Sequence, residues 1–313
     1  MIVTKRKMSY MAFGVHILSE IPLPELSPMG LEDQGFDVEV VIEDLKMEWE
    51  HLAKDKTGYI FKESYVLFRL DDIAIFLIKE GKKISISPLK DYKEDIAKMI
   101  VLGTCIGAIL LQRNILPLHG STIAVNGKAY AIVGESGAGK STLASTFIRD
   151  GYPILTDDII AVSILNERTP FVIPSYPQQK LWQETLHEFG KTTSNLKSVY
   201  GRQTKYYVPL LAEFLTNPLP LAGIFELVKI DQEEVEVVTK TRLEQLSILY
   251  NHTYRNLMIS GLRKLEWHFK VSTNILNNIN VYQLQRPISR FTSDELVSII
   301  LEKIRLTEEN NKK

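Results

Sequence analysis

Residues 134–141, Gly134-Glu135-Ser136-Gly137-Ala138-Gly139-Lys140-Ser141, satisfy the pattern G-x-x-x-x-G-K-S at every position. No other part of the chain constrains the fold as much, because this pattern works only between a strand and a helix. Both flanks are present. Apolar residues 129–133 precede the loop, and a helix-forming run over 141–149 follows it and stops at Gly151. Glycines let the backbone wrap closely around an anion and turn its N–H groups inward. The following helix adds the positive end of its dipole. In such a loop the lysine, Lys140, reaches the β- and γ-phosphates, and the Ser141 hydroxyl ligates magnesium. Residues 134–142, ending at Thr142, are therefore the expected nucleotide contacts, with ATP and Mg2+ as ligands. The bland alternative is a glycine-rich turn without a ligand, and the paired flanks argue against it.

The rest of the composition fits an ordinary globular enzyme. The 313 residues are 45% hydrophobic and 24% charged, enough to bury a full core in two domains, or in one domain with a large appendage. With 37 basic against 38 acidic residues the net charge is -1, so no global field recruits nucleic acid or an anionic membrane. The single cysteine, Cys105, lies in an apolar run and reads as a small buried hydrophobe. The longest apolar stretch, 99–111, has 13 residues against the about 20 that a membrane span needs. With no signal-like apolar segment at the start, the expected location is the cytoplasm.

The coarse pattern is α/β, in the looser α+β sense. A β-rich first domain is expected over 1–90, with strands at 36–42, 59–70, 73–78 and 84–87 and a hairpin turn at Glu80-Gly81. A helix over 92–113 closes that domain against a second one, 91–313, which carries the phosphate loop. Prolines between 169 and 220 predict only short elements there. Thr292 followed by Glu295 predicts a capping box and a closing helix to about residue 306.

Two features sit beside the loop. Asn126-Gly127, between apolar runs, is a strong hairpin signal. A two-residue turn sets Val125 opposite Lys128, Ile123 opposite Tyr130 and Ser121 opposite Ile132, and continuing the ladder brings His119 to Gly134 at the mouth of the loop. Next, the apolar run at 154–155 and Thr156 lead into Asp157 and Asp158, where nucleotide-binding folds place a metal-holding carboxylate. Adjacent residues of an extended chain point in different directions. One aspartate can therefore face magnesium and the other an acceptor hydroxyl as general base. Ser141 and Asp158 are the expected metal ligands; His119, Lys140, Asp157 and Asp158 are the expected catalytic set. Arg255 and Arg286 either touch the transferring phosphate or a peptide carboxylate, or form ordinary surface ion pairs. Lys191, Lys197, Arg202 and Lys205 read as a solvated basic loop, and Trp182 as packing.

The run Leu118-His119-Gly120, the hairpin, GESGAGKST and Leu155-Thr156-Asp157-Asp158 resemble the HPr kinase/phosphorylase family. The resemblance covers about residues 115–165 well and the remaining carboxy-terminal half loosely. It implies a P-loop kinase domain of the HPr kinase and phosphoenolpyruvate carboxykinase type, with the family's histidine at His119 and its aspartate pair at Asp157 and Asp158. The family's second, glycine-containing signature is replaced by Tyr176-Pro177-Gln178-Gln179-Lys180-Leu181-Trp182. Together with residues 10–26, His252-Thr253-Tyr254-Arg255 and Leu284-Gln285-Arg286-Pro287, this is similar to the branch of lasso-peptide tailoring kinases. That branch implies an acceptor peptide phosphorylated on its carboxy-terminal serine. The alternatives are HPr kinase/phosphorylase acting on HPr, and a regulatory protein that binds nucleotide without transferring phosphate. The acceptor is thus a peptide or small protein bearing a serine, with neither nucleic acid nor membrane as partner. Nothing in the sequence assigns an oligomeric state.

Overall fold

A computed structural model describes residues 7–30, 35–53, 58–165 and 168–310. The amino-terminal part forms a mixed eight-stranded sheet. Its order in space is Ser27–Met29, Met8–Ala12, Val15–Ser19, Val38–Ile42, Lys83–Pro88, Ala74–Lys79, Tyr65–Leu70 and Tyr59–Lys62. The alternation expected at 36–42 produces the strand Val38–Ile42, with Val38 and Val40 buried and Phe36 left half exposed outside it. Glu80 and Gly81 both take positive φ, 55° and 64°, and join two antiparallel strands whose register runs from Lys79 opposite Lys83.

The helical run after this sheet holds three pieces: Glu94–Ile100, a π-turn at Val101–Cys105, and Ile106–Gln112. An extra residue per turn inside an α-helix redirects the face that follows it. Here the face carrying Gly103 and Gly107 meets Tyr254; a Cβ on Gly107 would lie 2.8 Å from that ring. The helix is buried against the first sheet in one apolar core. That core extends across the expected boundary at residue 90 to Ile159, Ala161, Met258 and Leu262. Cys105 lies within it, and burial pushes its thiol far up.

The second sheet runs Lys128–Val133, Leu116–Val125, Ile159–Leu165, Thr169–Ile173, Leu219–Ile230, Asn280–Pro287, Glu236–Thr239. Lys128–Val133 also pairs in parallel with Leu219–Ile230, so five of these strands close on themselves. Helices cover both faces. Lys140–Arg149 and Ser293–Asn310 pack through Leu143, Phe147, Leu296 and Ile300. On the other side, Arg242–Asn251 and Leu265–Asn278 pack through Ile248, Leu249, Ile275 and Leu276. This mixed α/β architecture, a β-rich amino-terminal part followed by a domain carrying the phosphate loop, is the class the sequence predicts. The proline-rich region forms short pieces, with Gln178–Trp182, Ser198–Val199 and Arg202–Pro209 in a small third sheet.

One local expectation fails. The capping box at Thr292 and Glu295 is absent: Thr292 Oγ1 is buried without a hydrogen-bond partner, and Glu295 instead accepts from Arg290 at 2.7 Å. A guanidinium within reach outcompetes a backbone N–H for the carboxylate. A complete capping box forms at Thr241 and Glu244. Among the described residues no helix is long and apolar enough to cross a membrane.

Candidate active site

The hairpin positions the site. Asn126 and Gly127 both have positive φ, 51° and 72°, as a two-residue turn of this hand requires. Lys128 faces Val125, Tyr130 faces Ile123 and Ile132 faces Ser121, up to Val133 opposite Gly120. His119 is the next residue outward. Its N–H donates to the His252 carbonyl at 2.7 Å, and its strand pairs on the other side with Ile159. At the start of the loop, Gly134 has φ +149°, and a Cβ there would stand 2.5 Å from the Leu227 carbonyl oxygen. Only glycine lets the chain leave the strand at this point.

Lys140 is buried, and its ammonium donates to the Gly134 and Glu135 carbonyls, both at 2.8 Å. Burial lowers its pKa to about 8, against the pull of Asp157 and Asp158. Ser141 donates its hydroxyl to Asp157 Oδ1 at 3.0 Å, and Ser121 donates to the same oxygen at 2.6 Å. The Lys180 backbone N–H occupies Asp157 Oδ2 at 3.1 Å. Burial pushes the Asp157 carboxyl up, with the Ser121 and Lys180 donors opposing it.

Asp158 turns elsewhere. Its carboxylate meets the Lys180 ammonium at 2.6 Å and His119 Nδ1 at 3.6 Å. Burial works against its charge, but the Lys180 ammonium outweighs that and holds the carboxyl well below the usual carboxylate range. With φ of 75°, Asp158 sits in the left-handed region, a backbone cost that the surrounding contacts sustain. His119 Nδ1 lies 3.0 Å from the Asp158 carbonyl. A carbonyl only accepts, so Nδ1 carries the hydrogen and Nε2 is the acceptor of the neutral ring. Burial and the Lys140 charge lower the His119 pKa, which favours that neutral form.

All these groups line one cavity of about 660 Å³. Arg255 and Arg286 line it too, and neither forms an ion pair among the described residues. Arg286 Nε donates to the Ala138 carbonyl at 2.8 Å, fixing the tip of the loop. The carboxylate beside Ser141 is that of Asp157; Asp158, expected there, instead pairs with the Lys180 ammonium. Three groups escaped the sequence reading. Lys180 carries no diagnostic spacing, and only the two-residue period of its strand could have marked it. Lys205, read as part of a solvated loop, lies over the Trp182 ring at 5.4 Å within the cavity wall, and burial lowers its pKa. Tyr254 packs on His119 with ring centroids 5.8 Å apart. Lys197 pairs with Asp95 at 3.0 Å on the surface.

Ser141 and Asp157 form a hydroxyl–carboxylate pair of the kind that holds magnesium beside a phosphate loop. Among the described residues no group of three or more histidine, cysteine or acidic side chains is arranged to hold a metal ion by itself. A metal here would therefore lean on substrate phosphates and water for its remaining ligands, which is the usual habit of Mg2+.

No family model matches the chain. It is 33% identical over 79 residues to the HPr kinase/phosphorylase of Mycoplasmopsis pulmonis, a span covering 25% of each protein. It is 26% identical over 160 residues to that of Limosilactobacillus reuteri, covering 48% of each. The Hpr(Ser) kinase/phosphatase of Coxiella burnetii superposes with a TM-score of 0.32 at 12% identity, covering 62% of this chain and 98% of the other. The chain thus spans between a quarter and about half of the length of the curated relatives it matches. These sequence matches support an HPr kinase-like relationship for this chain.

Proposed function

We propose that the chain is an ATP-dependent, magnesium-assisted serine kinase of the HPr kinase type. The observation that carries this reading is the convergence of Lys140, Ser141, Asp157, Asp158 and His119 on one cavity. A protein that only clamps nucleotide has no need of an anionic carboxylate beyond the metal-side pair. The acceptor serine oxygen attacks the γ-phosphorus, the bond to the departing ADP oxygen breaks, and the serine proton passes to the Asp158 carboxylate. Asp158 is a weak base, which suits a loose transition state in which proton transfer comes late and orientation of the nucleophile matters most. Lys180 and His119 hold that carboxylate in place. Lys140 and the loop N–H groups meet the charge that builds on the β- and γ-phosphates. Magnesium, held by Ser141 and Asp157, would neutralise further phosphate charge.

For the acceptor we infer a small peptide, with the carboxy-terminal serine of a lasso-peptide precursor as the specific candidate. Its support is the resemblance of the outer motifs, together with cavity walls that combine apolar Met99, Ile100 and Trp182 with basic Arg202, Lys205 and Arg255. These suit a short chain bearing a carboxylate. The similarity to HPr kinase/phosphorylases favours a second reading, HPr as acceptor. Mass spectrometry after incubation with Mg-ATP tests both, using peptides ending in serine and purified HPr. A gain of phosphate on the terminal serine supports the first reading; efficient transfer to HPr alone replaces it with the second. Transfer to neither, or unchanged transfer by a folded Lys140→Ala variant, removes the kinase assignment.

A further inference from the structure

The cavity has a wall that the phosphoryl-transfer groups do not use. Thr292 and Ser293, at the start of the helix Ser293–Asn310, are 4% and 5% exposed, and both line the cavity. Neither hydroxyl oxygen has a hydrogen-bond partner among the described residues. Two adjacent buried hydroxyls without partners are costly, and native proteins retain such groups where something else completes them. The usual explanation, a capping box, is absent because Glu295 is engaged by Arg290. Beside them Phe291, 47% exposed, lines the same cavity together with Leu296.

The placement relative to the loop indicates what this wall meets. His119, Asp157 and Asp158 gather at Lys140 and Ser141, so the γ end of a bound triphosphate belongs there. Arg286 touches the loop elsewhere, at Ala138, and stands against Gly139. A nucleoside triphosphate with its γ-phosphate at the aspartates must carry its nucleoside away from them. Five to seven residues after Arg286 in the chain, the same cavity wall carries an aromatic side chain, Phe291, and the hydroxyl residues Thr292 and Ser293.

We propose that Phe291, Thr292 and Ser293 form the nucleoside subsite. Thr292 and Ser293 bond to the sugar hydroxyls, and Phe291 covers the base. A χ1 change turns each hydroxyl from its buried position toward the cavity. This rests on the phosphate-loop reading above and goes beyond it, because a phosphate loop alone binds inorganic polyphosphate as well as nucleotide.

The test is isothermal titration of the full chain with Mg-ATP and with magnesium tripolyphosphate. Thr292→Val and Ser293→Ala should each weaken ATP binding about fivefold, the loss of one hydrogen bond, while tripolyphosphate affinity changes by less than about twofold. Phe291→Ala, at a half-exposed position outside the helix Ser293–Asn310, should show the same selectivity and serves if a hydroxyl variant misfolds. Variants that leave ATP affinity unchanged, or that weaken both ligands alike, overturn the subsite. A wild-type chain that binds neither ligand overturns the phosphate-loop reading itself, an outcome distinct from inert variants of a chain that binds both.

Discussion

Ser141 and Asp157 share a hydrogen bond of 3.0 Å, while the adjacent Asp158 meets the Lys180 ammonium at 2.6 Å. Two neighbouring carboxylates are thereby committed to different side chains, Asp157 to the Ser121 and Ser141 hydroxyls and Asp158 to the Lys180 ammonium. Asp157→Asn should raise the magnesium concentration needed for half-maximal turnover, with turnover recovering at saturating metal. Asp158→Asn should leave Mg-ATP affinity within about twofold and lower turnover about 10²- to 10⁴-fold. Steady-state assays across magnesium concentrations separate these outcomes, and a common defect in both variants would contradict the division.

Nucleotide affinity should fall as pH rises above about 8. Burial lowers the Lys140 pKa to about 8, and phosphate binds its protonated form. Below that pH the charge is present. Above it, binding must first restore a proton, at a cost of up to about tenfold in affinity per pH unit. Lys205, also lowered by burial, acts in the same direction. Titration calorimetry from pH 7 to 9.5 checks the slope. Lys140→Arg, whose guanidinium stays charged, should flatten it.

Gly107 should not tolerate a methyl group. Its Cβ would stand 2.8 Å from Tyr254 Cδ1, and that ring packs on His119. Overpacking of this kind costs about 1–3 kcal/mol. Gly107→Ala should lower the melting temperature and, by displacing Tyr254, reduce turnover. Adding Tyr254→Leu should restore the melting temperature, which thermal denaturation of the double variant measures.

His268 should make the fold acid-sensitive. It is buried, it lies 2.9 Å from the Thr253 hydroxyl, and burial lowers its pKa to about 4. The unfolded chain takes up this proton near pH 6.5, whereas the folded chain resists it until about 4. Stability is therefore fully present above about 6.5 and declines toward 4, by about 2 kcal/mol between pH 7 and 5 for this residue alone. Urea unfolding at the two pH values measures the drop, and His268→Gln should remove that share of it.

The hairpin and the phosphate loop were legible in the sequence because their geometry is local. Asn126-Gly127 tolerates the positive φ that sets the register, and the register carries His119 to Val133's end of the ladder without reference to the rest of the fold. The aspartate pair was legible as a pair for the same reason, since an apolar strand leads straight into it. Local spacing could not distribute their roles. Adjacent residues diverge in any extended chain, and the sequence does not reveal that Lys180 arrives from another sheet to claim Asp158. The box expected at Thr292 failed similarly, because Arg290 folds back on Glu295.

By itself, then, the sequence determined a phosphate-binding loop between strand and helix, a histidine at its mouth and two acids nearby, all within about 40 consecutive residues. Tertiary structure alone decided which acid faces Ser141, and that Lys205 belongs to the cavity wall over the Trp182 ring, not to a solvated loop. It also decided that a helix carrying Gly103 and Gly107 backs Tyr254 against His119. The physical reason is range. Turn geometry and strand register are set by backbone sterics over a few residues, whereas side-chain partnerships and desolvation depend on which distant elements the closed core brings together.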